Sequence, residues 1–436
     1  MKEILILGAG KSATLLIEYL GKACQEFGWK LCVCDSDLAM AQAKVRGIKS
    51  AYAVSVDVNH GPERVKLIKK ADLVISMLPP HLHYWVAQDC LQYSRHLLTA
   101  SYVDQNLRHL ALEIKQKDLL FLCETGLDPG IDHMSAMKLI NEIRSKGGKI
   151  ISFKSHCGGL VAPESDNNPW HYKITWNPGN IVMAGHSGAI FKSANQLISR
   201  PYREVFQHCQ EVEVPGLGNL AWYPNRDSIS YQHTYGLEDT SEFIRTTLRH
   251  PAFCTGWNAV VNLGLTDTED EALIKKCQTY SEWFELKTTS APEIREHYLG
   301  DTLVRELLAY LELDSPDPIT VEKKCSAALL QAIIEKKLAM SPRDHDMIVM
   351  LHEIAYESNG KNYLTTSTLI VKGEDQQRTA MAKTVGLPLG IAAKLILTGK
   401  IPTRGLHIPV LPEIYEPVLA ELESNGIRFI EQNLVY

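Results

Sequence analysis

The sequence predicts an α/β protein: a doubly wound parallel sheet, then a second α/β domain with a mixed sheet and a helical insert. Three observations carry this. A short apolar strand, Ile4-Leu5-Ile6-Leu7, runs directly into a glycine-rich turn. Apolar runs of strand length then alternate with helical patterns as far as about residue 124. From about Lys149 longer strand-like stretches, separated by turn-rich sequence, replace that alternation.

The continuous apolar run at residues 4 to 7 suits a parallel strand buried on both faces, and a helix is expected over residues 12 to 24. Further runs at Leu31 to Cys34, Leu73 to Met77, His96 to Thr99 and Leu119 to Leu122 repeat the strand–helix unit, so residues 1 to 124 form one domain. Strands are expected at residues 150 to 157, 171 to 176 and 180 to 184, around the turn-rich Pro163 to Pro169. Residues 240 to 337 read as mainly helical, punctuated by Pro251, Pro292 and Asp314-Ser315-Pro316-Asp317-Pro318. A strand pair follows at residues 346 to 356 and 364 to 371, then a helix over residues 379 to 400. The second domain is therefore assigned to residues 125 to 239 and 338 to 378, interrupted by the helical segment. Residues 379 to 436 are a candidate to pack back on the first domain.

Of 436 residues, 45% are hydrophobic and 22% charged, a globular balance with apolar material for more than one core. Lys and Arg number 45 against 51 Asp and Glu, a net charge of -6 that leaves no basic footprint for nucleic acid or an anionic membrane. A small-molecule partner is expected. The ten cysteines are scattered without a CxxC pair or a zinc-ligand spacing, so they read as reduced core thiols and no metal is expected. The start, Lys2-Glu3 and then a strand, lacks the pattern of a secretory signal, and no run of about 18 uncharged apolar residues is present; a cytosolic protein is expected.

Gly8-Ala9-Gly10-Lys11-Ser12-Ala13 has the form G-x-G-x-x-A between a strand and a helix, the context of a dinucleotide fingerprint in a Rossmann domain. The first glycine permits the turn, the second lets a pyrophosphate approach the backbone, and the small third residue lets helix and strand pack. Asp35 ends the second strand, where a carboxylate accepts from the adenosine ribose and repels a 2′-phosphate, so NAD is favoured over NADP. An exposed turn aspartate is the ordinary alternative, since Asp37 is adjacent and aspartate favours turns. Alanine at the third motif position is also common among NADP enzymes.

Five further strings run in order along the chain: Ala100-Ser101-Tyr102; Glu124 to His133; Cys157-Gly158-Gly159 through Pro163-Glu164 to Asn168-Pro169 and Tyr172-Lys173; Tyr223-Pro224-Asn225-Arg226-Asp227-Ser228; and Thr246-Thr247-Leu248-Arg249. With the glycine loop and Met381 to Gly386, they closely resemble the glutamate-forming saccharopine dehydrogenase family over nearly the whole chain. The resemblance implies a Rossmann domain, a substrate-binding α/β domain, a helical third domain and a homodimer. It implies saccharopine as substrate, a lysine and a glutamate joined through one secondary amine, and an oxidoreductase of lysine metabolism. Fungal biosynthetic members carry a basic residue after the second strand and use NADP, whereas animal and plant catabolic domains have aspartate there. Asp35 resembles the latter, so NAD and the oxidative direction are expected.

The resemblance also assigns residues. Arg226 and Arg249 are expected as carboxylate clamps, because guanidinium forks grip carboxylates bidentately. Ser101 is placed at the boundary of cofactor and substrate, Tyr102 at the substrate, and Thr247 and Leu248 beside it through backbone or side chain. Cofactor contacts are expected from Gly8, Gly10, Lys11, Ser12, Ala13, Asp35, Asp57, Val58, Met77, Ala100, Ser101, Leu127, Asp128 and Asn177. Asp128 and Cys157 are the candidates for proton handling, with their order open: Asp128 orients water or accepts a proton unless it merely stabilises its turn, and Cys157 precedes Gly158-Gly159, where backbone could approach a ligand. His133 and Lys173 are weaker candidates, since Asp132-His133 opens a helix where capping explains the aspartate equally well. Two rivals stay open: another carbon–nitrogen oxidoreductase of the superfamily, such as a carboxynorspermidine-type synthase, and a non-catalytic nucleotide-sensing protein.

Overall fold

The computed structural model describes every residue except Ala291 and Tyr436. Its contacts divide the chain into two units, Met1–Gly147 with Ile370–Phe429, and Gly148–Leu369 with Ile430–Tyr436.

In the first unit the strands β1 (Glu3–Leu7), β2 (Lys30–Asp35), β3 (Ala51–Ser55), β4 (Leu73–Ser76), β5 (His96–Thr99) and β6 (Leu120–Leu122) form a parallel sheet in the order β6-β5-β4-β1-β2-β3, with Gly405–His407 added beside β6. The order reverses at β1, and there the glycine loop leads into the helix Thr14–Phe27, one short 3-10 turn later than residue 12. Leu5, Leu7, Cys32, Cys34, Val74, Leu97 and Phe121 fill one face of the sheet against Val86 and Cys90. The helix Ala380–Leu397 crosses the Thr14–Phe27 helix at two glycines. A Cβ on Gly386 would lie 2.9 Å from Leu16 N, and one on Gly390 2.7 Å from Tyr19 Cδ1. By length and composition alone this helix is apolar enough to cross a membrane, although Lys383 and Lys394 interrupt its apolar run. Here 83% of it is buried, the environment of a core helix.

The second unit is built on a mixed sheet of β7 (Lys149–Val161), β8 (Ala189–Ser193), β9 (Gln196–Arg200), β10 (Gln210–Val214), β11 (Gly218–Pro224), β12 (Arg226–Asp227), β13 (Glu242–Arg249), β14 (Asp346–Ser358) and β15 (Lys361–Lys372). Its main path runs β10-β11-β13-β7-β14-β15 and ends on the strand Ile430–Val435, while β8, β9 and β12 branch from it. β13 and β7 are parallel, with Thr247 opposite Cys157. A helical layer packs round Trp170, Phe253, Trp257 and Trp283, all fully buried. Trp170 and Trp283 satisfy their indole N–H groups on Leu307 O and Ser326 Oγ, each at 2.8 Å.

Two strand expectations fail. Residues 180 to 184 fall in and beside the short helix Pro178–Val182, because Asn177 accepts from Gly179 N and Pro178 supplies a helix-compatible φ at the first position. Residues 171 to 176 form no strand and touch the sheet pattern through one isolated bridge, Ile174 to Ala339. The segment expected to be mainly helical opens instead with the strand β13, whose side chains at Phe243, Ile244 and Leu248 are buried on both faces.

Candidate active site

In the first unit the sequence-predicted cofactor residues gather at the carboxyl ends of the parallel strands, the edge where open α/β sheets take ligands. Gly8 to Ala13 follow β1, Asp35 ends β2, Asp57 and Val58 follow β3, Met77 follows β4, Ala100 to Tyr102 follow β5, and Leu127-Asp128 follow β6. The two motif glycines differ in what requires them. Gly8 has φ 103, and a Cβ there would meet Met77 O at 3.0 Å, so the protein's own packing demands glycine. Gly10 has φ -62, and a Cβ there would meet nothing within 4 Å, so neither strain nor packing demands it. An exposed backbone kept bare in this way fits a pyrophosphate lying against it. The 3-10 turn Lys11–Ala13 and the following helix have no side-chain cap, which leaves their first N–H groups for a phosphate. Ala13 is buried where the helix meets the sheet, as the small third residue should be.

Asp35 is half-buried. Its Oδ2 accepts from Ala9 N at 2.7 Å and its Oδ1 from Asp37 N at 3.0 Å, so the carboxylate holds the glycine loop. Asp57 is exposed and accepts from Asn59 N and Nδ2. Beyond the sheet, the loops after β5 and β6 are laced by Glu124 N to Ser101 O, 3.0 Å, and Thr125 N to Thr99 O, 3.1 Å. A Cβ on Gly126 would lie 2.9 Å from Ala100 Cβ, so Ala100 and the Leu127-Asp128 turn are held at fixed separation. Asp128 is half-buried and precedes a cis peptide to Pro129; Leu127 is buried.

The weaker candidates sit in buried polar pairs. His133 is fully buried, with Nε2 2.9 Å from Glu124 Oε2, and Asp132 accepts from Gly130 N at 2.6 Å at the start of its helix. Lys173 is buried on Asp344 at 2.6 Å; burial alone would raise the Asp344 carboxyl, but the bonds from Lys173 and Ser341 hold it below its usual range. Asn177 lies in the second unit, exposed, with Oδ1 occupied in capping its helix.

In the second unit Arg249 is the informative residue. It ends β13 and is 5% exposed, yet among the described residues no carboxylate pairs with it. Its Nη1 donates to Leu248 O at 2.7 Å, its Nε has no partner, and its guanidinium lies 5.2 Å from the Tyr172 ring and 5.5 Å from that of Phe253. A buried charge without a counter-ion costs on the order of several kcal/mol, a cost that a bound anion would offset. Tyr223, buried close by, has its phenol pushed up to about 12 by burial and stays neutral. Arg226 is exposed and holds a left-handed backbone, φ 50, in the two-residue strand β12 paired with Ala189 and Ile190. Such a conformation costs a non-glycine residue roughly 1 kcal/mol or more and is retained where it aims a side chain.

Cys157 and Thr247 face one another across β7 and β13, and Cys157 is buried. Gly158 is bare for a reason different from the one expected: its Cβ would sit 2.5 Å from Leu248 O, so the neighbouring strand, not a ligand, takes that space. The Leu248 side chain lies wholly in the core, which leaves only its backbone for a ligand. Sequence reasoning missed the aromatic cradle of Tyr172 and Phe253, which only the fold brings to Arg249. It also missed His83, whose Nε2 lies 2.7 Å from Ser101 Oγ. Among the described residues the ten cysteines form no disulfide, and no cluster of His, Cys, Asp or Glu has metal-binding geometry.

A reversing parallel sheet, a glycine loop bare at its second glycine and a separate unit with an unpaired buried arginine define a Rossmann-type nucleotide-dependent oxidoreductase. The family is specific. Residues 4–122 match the model of the saccharopine dehydrogenase NADP binding domain and residues 126–427 that of the saccharopine dehydrogenase C-terminal domain, so the chain belongs to the saccharopine dehydrogenase family. It is 31% identical over 452 residues to saccharopine dehydrogenase [NADP(+), L-glutamate-forming] of Schizosaccharomyces pombe, covering 99% of both chains. It is 33% identical over 420 residues to alpha-aminoadipic semialdehyde synthase of Arabidopsis thaliana, covering 90% of this chain but only 40% of that protein. Among solved structures, the apo saccharopine dehydrogenase (L-Glu forming) of Saccharomyces cerevisiae superposes with a TM-score of 0.89 at 29% identity over 100% of both chains.

Proposed function

We propose that the chain interconverts L-saccharopine and water with L-glutamate and 2-aminoadipate 6-semialdehyde, working in the oxidative direction with NAD. Three things support this: the full-length relatives named for this reaction, the bare Gly10 loop, and above all the buried Arg249, with which no carboxylate among the described residues pairs. Saccharopine carries three carboxylates. Arg249 takes one as a desolvated fork over Tyr172 and Phe253, and Arg226 takes another at the exposed end of β12.

The nicotinamide ring supplies the hydride acceptor. The neutral secondary amine pushes a hydride from the lysine-derived carbon, leaving a carbon–nitrogen double bond as an iminium. Water then adds to that carbon and loses a proton; the carbon–nitrogen bond breaks as the nitrogen takes a proton and the hydroxyl on the carbon gives one up. Glutamate and the semialdehyde are released, and one proton is set free overall. Asp128 accepts the water's proton and stabilises the iminium charge; Cys157 is the alternative proton carrier. The acidic pair Asp35 and Asp37 supports NAD, because a 2′-phosphate there meets two carboxylates. The fungal relatives are named for NADP(+), and kinetics with both cofactors decide between the two. A cytosolic homodimer completes the proposal.

Mass-spectrometric identification of products from saccharopine tests the reaction: glutamate and the semialdehyde in equal amounts are expected. Lysine with 2-oxoglutarate instead would mean that the other carbon–nitrogen bond is cleaved. No reaction with saccharopine, alongside turnover of a carboxynorspermidine-type substrate, would move the chain to that rival class.

A further inference from the structure

Behind Ser101 runs a buried polar chain that the reaction chemistry does not itself call for. His83 opens the helix His83–Gln92 and is 3% exposed. Its Nδ1 lies 2.8 Å from Ser76 Oγ at the end of β4; its Nε2 lies 2.7 Å from Ser101 Oγ and 3.3 Å from Thr99 Oγ1. Burial pushes the imidazole down to about 4, so at neutral pH the ring is uncharged and has one donor and one acceptor nitrogen. Thr99 decides which is which. Its Oγ1 already accepts from Ser101 N at 3.2 Å, and among the described residues its own hydrogen has one acceptor in reach, His83 Nε2, on which it is the longer arm of a bond shared with the nearer Ser101 hydroxyl. Nε2 is therefore the acceptor, Nδ1–H donates to Ser76, and the Ser101 hydroxyl donates to Nε2. With its single hydrogen committed inward, Ser101 Oγ can only accept from anything else that reaches it.

We propose that His83 is a positioning residue that fixes Ser101 as a hydrogen-bond acceptor for an N–H group of the ligand. The proposal rests on the reading of Ser101 as a ligand contact. Two sources carry such a group: the carboxamide of the nicotinamide and the amine of the substrate. Ser101 stands beyond β5 on the ligand-binding edge of the sheet, and the Thr99-to-Thr125 and Ser101-to-Glu124 backbone bonds fix its main chain. His83 thus sets the one remaining freedom, the direction of the hydroxyl.

The test compares binding of NADH and of its reduced acetylpyridine analogue, in which a methyl ketone replaces the carboxamide, by fluorescence titration, together with the KM for saccharopine. If the carboxamide is the donor, wild-type protein prefers NADH by about tenfold, the worth of one hydrogen bond, and the preference falls to within about twofold in Ser101→Ala and His83→Phe. If the substrate amine is the donor, that ratio is the same in all three, and both variants raise the KM about tenfold with a smaller change in kcat. His83→Gln, which returns an acceptor oxygen near the place of Nε2, should stay within about threefold of wild type in the responding readout. A folded His83→Phe protein with both readouts unchanged overturns the proposal, whatever Ser101→Ala does. Should His83→Phe fail to fold, Ser76→Ala removes only the partner of Nδ1–H and should move the same readout by about threefold; no movement overturns the proposal equally. Wild-type protein that shows the cofactor preference but no saccharopine turnover would refute the substrate reading and leave the His83–Ser101 assignment standing.

Discussion

Ala9 N–H donates to Asp35 Oδ2 at 2.7 Å, so the carboxylate at the end of β2 anchors the loop that precedes the bare Gly10. One side chain thereby ties the end of β2 to the glycine loop. NAD is expected to exceed NADP in kcat/KM by at least roughly tenfold, since like charges placed together cost several kcal/mol. Asp35→Asn, which keeps an acceptor for Ala9, should narrow the preference with little loss of NAD affinity; Asp35→Ala should narrow it and weaken NAD as well. Steady-state kinetics with both cofactors decide, and equal or better efficiency of the wild type with NADP rejects the assignment.

Arg249 should show opposite effects on stability and function. Arg249→Met replaces a buried cation, with which no carboxylate among the described residues pairs, by an apolar chain of similar length, so stability should be unchanged or raised. Saccharopine binding should weaken by roughly 30- to 1000-fold, the cost of about 2–4 kcal/mol for losing a desolvated charge contact. Thermal melting and the KM for saccharopine check both. A lower melting temperature with an unchanged KM would make Arg249 a structural residue.

Arg226→Ala should also raise the KM, by less than Arg249→Met because its side chain is exposed and screened. The same kinetics read it, and an unchanged KM removes Arg226 from the site.

Asp128→Ala should lower turnover roughly ten- to ten-thousandfold, the range that acid–base and electrostatic terms supply, with cofactor affinity nearly constant. Cys157→Ser keeps a small polar group and should do less. Turnover against pH for each variant separates them. Wild-type turnover and pH profile in Asp128→Ala leave that residue a turn stabiliser, and loss of turnover in Cys157→Ser alone reverses their order.

His83 makes stability depend on pH. Its folded-state pKa of about 4 lies below the ordinary histidine value of 6.5, so the unfolded chain binds the extra proton first as pH falls. Its contribution is intact above pH about 6.5 and is lost between there and about 4, by at most roughly 3 kcal/mol. Denaturant unfolding across that range should show a slope in wild type that His83→Gln flattens; parallel curves would contradict it.

The strand, turn and helix start around the glycine loop were legible because they lie within a dozen residues, and the strand end at Asp35 because β2 is a short apolar run. The parallel sheet was legible for the same reason, each strand being a short apolar run. What escaped depends on distant chain. Residues 180 to 184 look strand-like, but the capping Asn177 and Pro178 turn them into a helix. Gly158 suggested close approach of a ligand, whereas the space belongs to Leu248 O of β13. Arg249 was found through its motif, but its burial, its missing counter-ion and its seat over Tyr172 and Phe253 exist only once β13 and the helical layer assemble. Nothing local distinguishes His83 from a surface histidine.

In the proposed reading Arg249 binds a carboxylate of saccharopine and the glycine loop binds the nicotinamide cofactor that oxidises it. This pairing of roles is tested most directly by following nicotinamide absorbance with purified protein, saccharopine and NAD, beside the same assay with Arg249→Met. Saccharopine-dependent reduction of NAD is expected, saturable in wild type and needing far higher saccharopine in the variant. Absence of reduction with either NAD or NADP, in protein that binds the cofactor, would contradict it.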